Sequence, residues 1–244
     1  MTVRFDGQVA IVTGAGNGLG RSHALALAAR GAKVLVNDLG AARDGTGGSS
    51  AAAQEVVALI KERGGEAIAN GANVALIGDV EQMVAEAMAA WGRVDILVNN
   101  AGILRDKTFA KMAVIGLMNT LVLEGQKYNI HVNALAPAAA TRMTEDLGID
   151  EVALSLMKPE AVTAGLLTLC HDKAPSRFIL CAGAGGYAST QIYETDGIFL
   201  PPEEQTPEAI MARWSEVADP KGQAVLHSGA EQSEKFLKKA MMQK

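Results

Sequence analysis

The stretch Thr13-Gly14-Ala15-Gly16-Asn17-Gly18-Leu19-Gly20 constrains this chain more than any other. It follows a continuous apolar run, Val9-Ala10-Ile11-Val12, and opens an Ala/Leu-rich stretch with helical spacing that Gly31 ends. A strand turning at glycines straight into a helix brings backbone N–H groups against a pyrophosphate, where side chains would block the approach. Gly14, Gly18 and Gly20 supply that turn. Asp38 stands eighteen residues after Gly20, closing a second strand-like run, Val34-Leu35-Val36. Its carboxylate can accept hydrogen bonds from ribose hydroxyls and would repel a 2′-phosphate. A lone glycine pattern is a weak signal. Set between strand and helix with Asp38 in place, it predicts a dinucleotide site that takes NAD rather than NADP. The bland alternatives are an empty glycine turn and an ordinary turn aspartate.

Strand and helix signals then alternate. Helical periodicity runs over Ala51–Arg63 and stops at Gly64-Gly65; Glu66–Ala69 reads as a third strand. Asp79–Trp91 reads as a helix with Asp79 as its N-cap. Ile96-Leu97-Val98 is a fourth strand, His131–Ala136 a fifth and Phe178–Cys181 the last. Met112–Leu123 is an apolar helix with little polar surface, so it is expected to be buried or at an interface. Gly40–Ser50 reads as a mobile loop. The alternation predicts an α/β fold, a doubly wound parallel sheet of the Rossmann type with a C-terminal helical extension. The boundaries read as residues 1–186 for the NAD-binding domain and 187–244 for the extension.

At 244 residues and 49% hydrophobic, the chain can bury one substantial core. A net charge of −5 argues against nucleic acid as a partner. No apolar run approaches the ~20 residues that span a bilayer, so no membrane role is expected. Only two cysteines, Cys170 and Cys181, suit a reducing, cytoplasmic setting, with two buried thiols the plainer reading. His131, His171 and His227 lack metal-ligand spacing, and no metal site is expected.

The glycine spacing, with Asn99-Asn100-Ala101-Gly102 ending the fourth strand, resembles the short-chain dehydrogenase/reductase family. Finer wording is similar to the (3R)-hydroxyacyl-CoA dehydrogenase part of the peroxisomal multifunctional enzyme and its bacterial stand-alone relatives. It is carried by Arg4-Phe5-Asp6-Gly7, Val36-Asn37-Asp38-Leu39-Gly40, Asn99–Phe109, Glu124–His131 and Ala136–Thr144. The resemblance implies that Gly14, Asn17, Gly18, Leu19 and Asp38 hold the pyrophosphate and ribose. It places the adenine at Asn73-Val74, although Asp is commoner there. Asn100, Ala101 and Gly102 fall beneath the cofactor, and Pro137 and Thr141 on the nicotinamide side. The implied reaction is hydride transfer between NAD and a secondary alcohol or ketone, and the small-molecule substrate the resemblance points to is a 3-hydroxyacyl-CoA. The implied assembly is a homodimer or homotetramer.

The departure follows Phe109. The family continues with a helix, a strand, a catalytic Ser and then Tyr-x-x-x-Lys. Here Ala110-Lys111-Met112-Ala113-Val114 follows at once, text that resembles the family from its catalytic lysine onward. Two placements stay open for Lys111, the catalytic lysine or an upstream loop lysine. None of Tyr128, Tyr187 and Tyr193 has a lysine four residues later. About 45–60 residues are missing if a crossover unit and its loop are counted. In the family the tyrosine moves the proton, the lysine lowers its pKa and holds the nicotinamide ribose, and the serine orients the substrate oxygen. Losing a central strand should cost far more than the about 5–15 kcal/mol by which a domain is stable. The simpler reading is therefore a sequence that omits a stretch the molecule carries. The alternative is a genuine deletion, giving a catalytically inactive NAD-binding or interaction protein.

In the tail, Pro201-Pro202 breaks the chain, Thr206-Pro207-Glu208 reads as a capped helix start, and a last amphipathic helix runs from Gly229 towards Lys239. Trp214 is expected to pack onto the core or a neighbouring subunit.

Overall fold

The computed structural model describes residues 2–40, 50–102, 108–141 and 148–242, with the side chains of 108–113 outside that description. The loop read over Gly40–Ser50 therefore lies mostly outside the described residues. The chain divides into two compact units, Met1–Ser189 and Thr190–Lys244.

In the first unit, β1 (Val9–Thr13), β2 (Lys33–Asn37), β3 (Ala67–Asn70) and β4 (Ile96–Val98) form a parallel sheet in the order β3-β2-β1-β4. The helices α1 (Gly18–Ala29), α2 (Ala51–Glu62) and α3 (Ile77–Trp91) make the crossovers. All five residues of β1 are buried, as a parallel strand covered on both faces requires. Its side chains alternate between two clusters. Ala10 and Val12 join Leu27, Val34, Val36, Val56 and Ile60 on one face, while Ile11 joins Leu35, Met83 and Ala87 on the other. Asp95 fastens the start of β4 to β1 by accepting the Val9 N–H at 2.8 Å. Burial alone would raise the Asp95 pKa, but bonds from Arg93 and Val9 outweigh it and hold the carboxyl below its ordinary range.

Among the described residues the sheet ends at β4. The apolar helix α4 (Thr108–Gly125) follows, and then β5 (Ala134–Ala138) starts a second sheet with β6 (Ile179–Gly183) and β7 (Gly186–Thr190) in the order β5-β6-β7. The helices α5 (Glu151–Leu156) and α6 (Pro159–Leu169) cross between β5 and β6, which run parallel. The expected parallel α/β winding is present, but the single sheet is split in two. β7 is an element absent from the sequence reading. Ala184 and Gly185, at φ 48° and 80°, connect β6 to β7, and a two-residue turn can join only antiparallel neighbours.

Packing of α6 on α1 joins the halves. Val162 is fully buried with Ala139 and Ala182, and Leu19 packs against that cluster. The run Glu151–Leu169 has the length and composition to cross a bilayer, closer to a span than the sequence reading allowed. It is nevertheless folded as two helices, and α6 buries Val162, Thr163, Gly165, Leu166 and Leu167.

Three smaller expectations change. α3 begins at Ile77 with Leu76 as its N-cap, so Asp79 is not the cap; it lies in the first turn and accepts the Asn73 N–H at 2.9 Å. The fifth strand begins at Ala134 rather than His131. Trp214 is 63% exposed, which departs from the core half of its expected placement.

The second unit holds α7 (Pro207–Ala212), α8 (Trp214–Val217) and α9 (Gly229–Met242). The Thr206 hydroxyl caps α7 by accepting the Ala209 N–H. Lys235 and Lys239 of α9 bond Glu194 and Asp196, and these contacts hold both carboxyls below their ordinary range.

Candidate functional site

The carboxyl ends of β1, β2, β3 and β4 converge on the glycine turn. Gly14 sits at φ +61°, a conformation that L side chains rarely adopt, and a Cβ there would lie 2.8 Å from the Ala101 Cα. A Cβ on Gly20 would collide with the Gly14 carbonyl and the Asn100 amide. The glycines thus allow β1, α1 and the end of β4 to approach backbone to backbone. Asn17, the N-cap of α1, is extended, makes no capping side-chain bond, and is followed by no acid in the first turn. The positive end of the helix dipole is left for an anion.

Asn100 locks this arrangement. Its Nδ2 donates to the carbonyls of Thr13 at 2.9 Å and Gly14 at 3.0 Å. The buried Thr13 hydroxyl accepts the backbone N–H groups of Asn100 and Ala101 at 3.1 and 3.0 Å. Ala101 and Gly102 are exposed beyond it.

Asp38 lies half-buried one residue past β2. Its Oδ2 accepts the Gly16 N–H and its Oδ1 the Gly40 N–H, each at 2.7 Å. Each carboxylate oxygen can accept a further hydrogen bond, so the group is oriented yet retains capacity for hydroxyl donors. A Cβ on Gly16 would come within 2.7 Å of Asp38 Oδ2. Gly16 is therefore a site residue that the sequence reading passed over; a glycine facing the strand-end acid was the signal.

Past β3, Asn73 is half-buried and Val74 is 42% exposed. Asn73 Oδ1 accepts the Ala75 N–H at 3.0 Å, shaping the turn that presents Val74. Across the break between the sheets, Thr141 reaches the glycine turn, its Cγ2 lying 3.5 Å from where a Cβ on Gly18 would stand. Leu19 points away into the α6 cluster. Pro137 is exposed on β5, paired in register with Ala182. Lys111 belongs to α4, and its side chain lies outside the described residues.

The cradle fits a dinucleotide: close-approach glycines, an uncapped helix end, and an oriented carboxylate. The donor set for proton transfer does not follow. Tyr187 donates its hydroxyl to the Ala161 carbonyl at 2.7 Å, Tyr193 bonds Gln191, and Tyr128 is 68% exposed under Lys127. Among the described residues no group of three His, Cys, Asp or Glu side chains is arranged to hold a metal ion.

The short chain dehydrogenase family matches residues 8–112. A short-chain type dehydrogenase/reductase of Mycobacterium tuberculosis is 38% identical over 276 residues, covering 88% of this chain and 95% of that protein. The mouse peroxisomal multifunctional enzyme type 2 is 36% identical over 89% of this chain, which spans 37% of that enzyme's length. Among solved structures, a short chain dehydrogenase from Mycobacterium avium superposes with a TM-score of 0.71 at 29% identity, covering 87% of this chain and 94% of that one. The Drosophila melanogaster peroxisomal multifunctional enzyme type 2 gives the same TM-score at 26% identity, over 96% of this chain and 49% of that one. In the Mycobacterium tuberculosis alignment, 88% of 244 residues is about 215, so about 60 of the 276 aligned positions hold no residue of this chain. The family match stops at residue 112, close to Phe109, where the sequence departs from the family pattern. With these relatives and this winding of strands about a glycine turn, the chain belongs to the short-chain dehydrogenase/reductase family.

Proposed function

We propose that this oxidoreductase-family chain binds NAD in preference to NADP, as the dinucleotide half of a dehydrogenase for secondary alcohols or ketones. The substrate class is a 3-hydroxyacyl thioester. The observation that carries the cofactor reading is Asp38, held by two backbone N–H groups at the strand end with acceptor capacity to spare. A 2′-phosphate brought to this carboxylate would meet like charge. The substrate class is supported by sequence likeness to the peroxisomal multifunctional enzymes.

Gly14, Gly16, Asn17, Gly18 and Leu19 would hold the pyrophosphate, Asp38 the ribose, Asn73 and Val74 the adenine. Asn100, Ala101, Gly102, Pro137 and Thr141 would flank the nicotinamide. NAD, when bound, supplies the hydride acceptor. Alcohol oxidation also releases a proton, and the protein must place a base to take it. No tyrosine stands four residues before Lys111 or any other lysine. The gap of about 60 aligned positions has room for the missing serine and tyrosine together with a strand and a helix.

A second reading has its own observation. The chain as it stands, without Tyr-x-x-x-Lys, is an NAD-binding protein without turnover. Intact mass separates the two: 25.4 kDa for the second, clearly more for the first. Self-association into a homodimer or tetramer, in a reducing cytoplasmic setting, completes the proposal.

Calorimetry tests the cofactor reading. NAD should bind more tightly than NADP, and Asp38→Ala should weaken NAD and narrow the difference. Equal affinity of the unmodified chain for both cofactors would refute the assignment.

A further inference from the structure

Asn37 and Asn70 end neighbouring parallel strands in register, β2 and β3, and both are buried, at 1% and 7% exposure. Asn37 Nδ2 donates to Asn70 Oδ1 at 2.8 Å and to the Ala72 carbonyl at 2.9 Å. Asn70 Oδ1 also accepts the Ala72 N–H at 2.9 Å. The pair thus takes both backbone polar groups of Ala72. The remaining donor, Asn70 Nδ2, bonds Glu86 Oε2 on α3 at 2.8 Å. Asp38 follows Asn37 directly, and its N–H donates to the Asn70 carbonyl at 3.0 Å. One connected set of bonds therefore fixes the strand end that bears Asp38 relative to the turn that bears Asn73 and Val74.

We infer that Asn37, Asn70 and Glu86 are positioning residues for the adenosine half of the dinucleotide, setting the span between the ribose acid and the adenine turn. This rests on the NAD reading above. Buried amides at this place need partners in any case, and a β2–β3 brace would require only the Asn37–Asn70 bond. The further bonds to both polar groups of Ala72 and to α3 bind the loop itself, two residues ahead of Val74.

A polarity swap tests it. Asn70→Asp keeps the oxygen that serves Asn37 and Ala72 but turns the donor facing Glu86 into a second carboxylate oxygen. Adding Glu86→Gln returns a donor from the α3 side. Calorimetry with AMP and with NAD should show Asn70→Asp weakening both by about tenfold and by the same factor, with the double variant recovering to within about threefold of the parent. A role confined to holding the fold would lower the urea midpoint of the unliganded variant while leaving the AMP and NAD affinities of the fully folded variant unchanged. If Asn70→Asp does not fold, Glu86→Ala on the half-buried face of α3 should weaken AMP by about threefold. Unchanged AMP affinity in a folded variant, NAD weakened more than AMP, or no recovery in the double variant each overturns the inference alone. A parent chain that binds neither AMP nor NAD overturns the cofactor reading and this inference with it.

Discussion

The β1–β4 half and the half that begins at α4 use the same apolar residues to opposite effect. Val9, Val12, Val34 and Leu35 are fully buried in the first half. At the edge where it stops, Leu97 on β4 is 57% exposed. On α4, Val114, Leu117, Leu121 and Leu123 lie 39–62% exposed, with Met118 buried. On β5, Ala136, Pro137 and Ala138 are exposed. Hydrophobic side chains do not bury themselves; a neighbouring element must arrive within contact distance, and among the described residues α6 finds one in α1 while Leu97 and these α4 side chains stay largely uncovered. In the first half the four strand ends around the glycine turn are tied by Thr13, Asn37, Asn70 and Asn100. Among the described residues the second half places Thr141 against Gly18 of that turn.

The largest contrast is chemical. A 25.4 kDa species should bind NAD weakly or not fold, and should form no NADH with a (3R)-hydroxyacyl-CoA, because positioned proton transfer contributes about 10²–10⁴-fold and its groups are missing. Lys111→Ala in that species should change cofactor affinity at most. In a heavier species holding the extra segment, with serine and a tyrosine four residues before Lys111, Lys111→Ala should abolish turnover. Robust NADH formation by the 25.4 kDa chain would show that the second half does chemistry without them.

Next comes packing. Leu35→Ala should cost about 2–5 kcal/mol in urea unfolding, since Leu35 is fully buried and a cavity is left. Leu97→Ala, on the open edge, should stay within about 0.5 kcal/mol. Equal costs would mean that β4 is covered in solution.

The seam between the halves should respond to acid. His23 on α1 is 2% exposed, with Nδ1 2.7 Å from the Thr163 hydroxyl on α6, and burial lowers its pKa from 6.5 to about 4. The folded chain keeps His23 neutral through that window while the unfolded chain takes up a proton. Stability is therefore full above pH 6.5 and falls as pH drops from 6.5 towards 4. The loss reaches about 3 kcal/mol below both values, read as a falling urea midpoint. His23→Gln should flatten that slope.

The smallest effect concerns association. Val114, Leu117 and Leu121 form an i, i+3, i+7 stripe, and Leu117→Glu should shift light-scattering mass towards the monomer with little change in the core. A parent chain already monomeric at micromolar concentration would overturn the oligomer proposal.

Some of this was legible in the residues alone. Continuous apolar runs at Val9, Val34 and Ile96, each closed by polar or glycine residues, are local patterns, and they fixed the strands and the glycine turn between β1 and α1. Gly14, Gly18, Gly20 and Asp38 could be located because their roles depend on short-range backbone geometry. The hairpin to β7 could also have been read, since Gly183-Ala184-Gly185-Gly186 carries its signal. Other features required the assembled chain. Whether β4 and β5 share a sheet depends on an intervening strand, and no local pattern states which edges meet. The brace through Asn37, Asn70 and Glu86 joins residues that are adjacent only once β2, β3 and α3 have packed. Trp214 looks like a core residue by its composition and is 63% exposed among the described residues. Sequence periodicity determines what each segment can become; only packing decides which apolar faces find partners, because burial is a property of two surfaces and not of one.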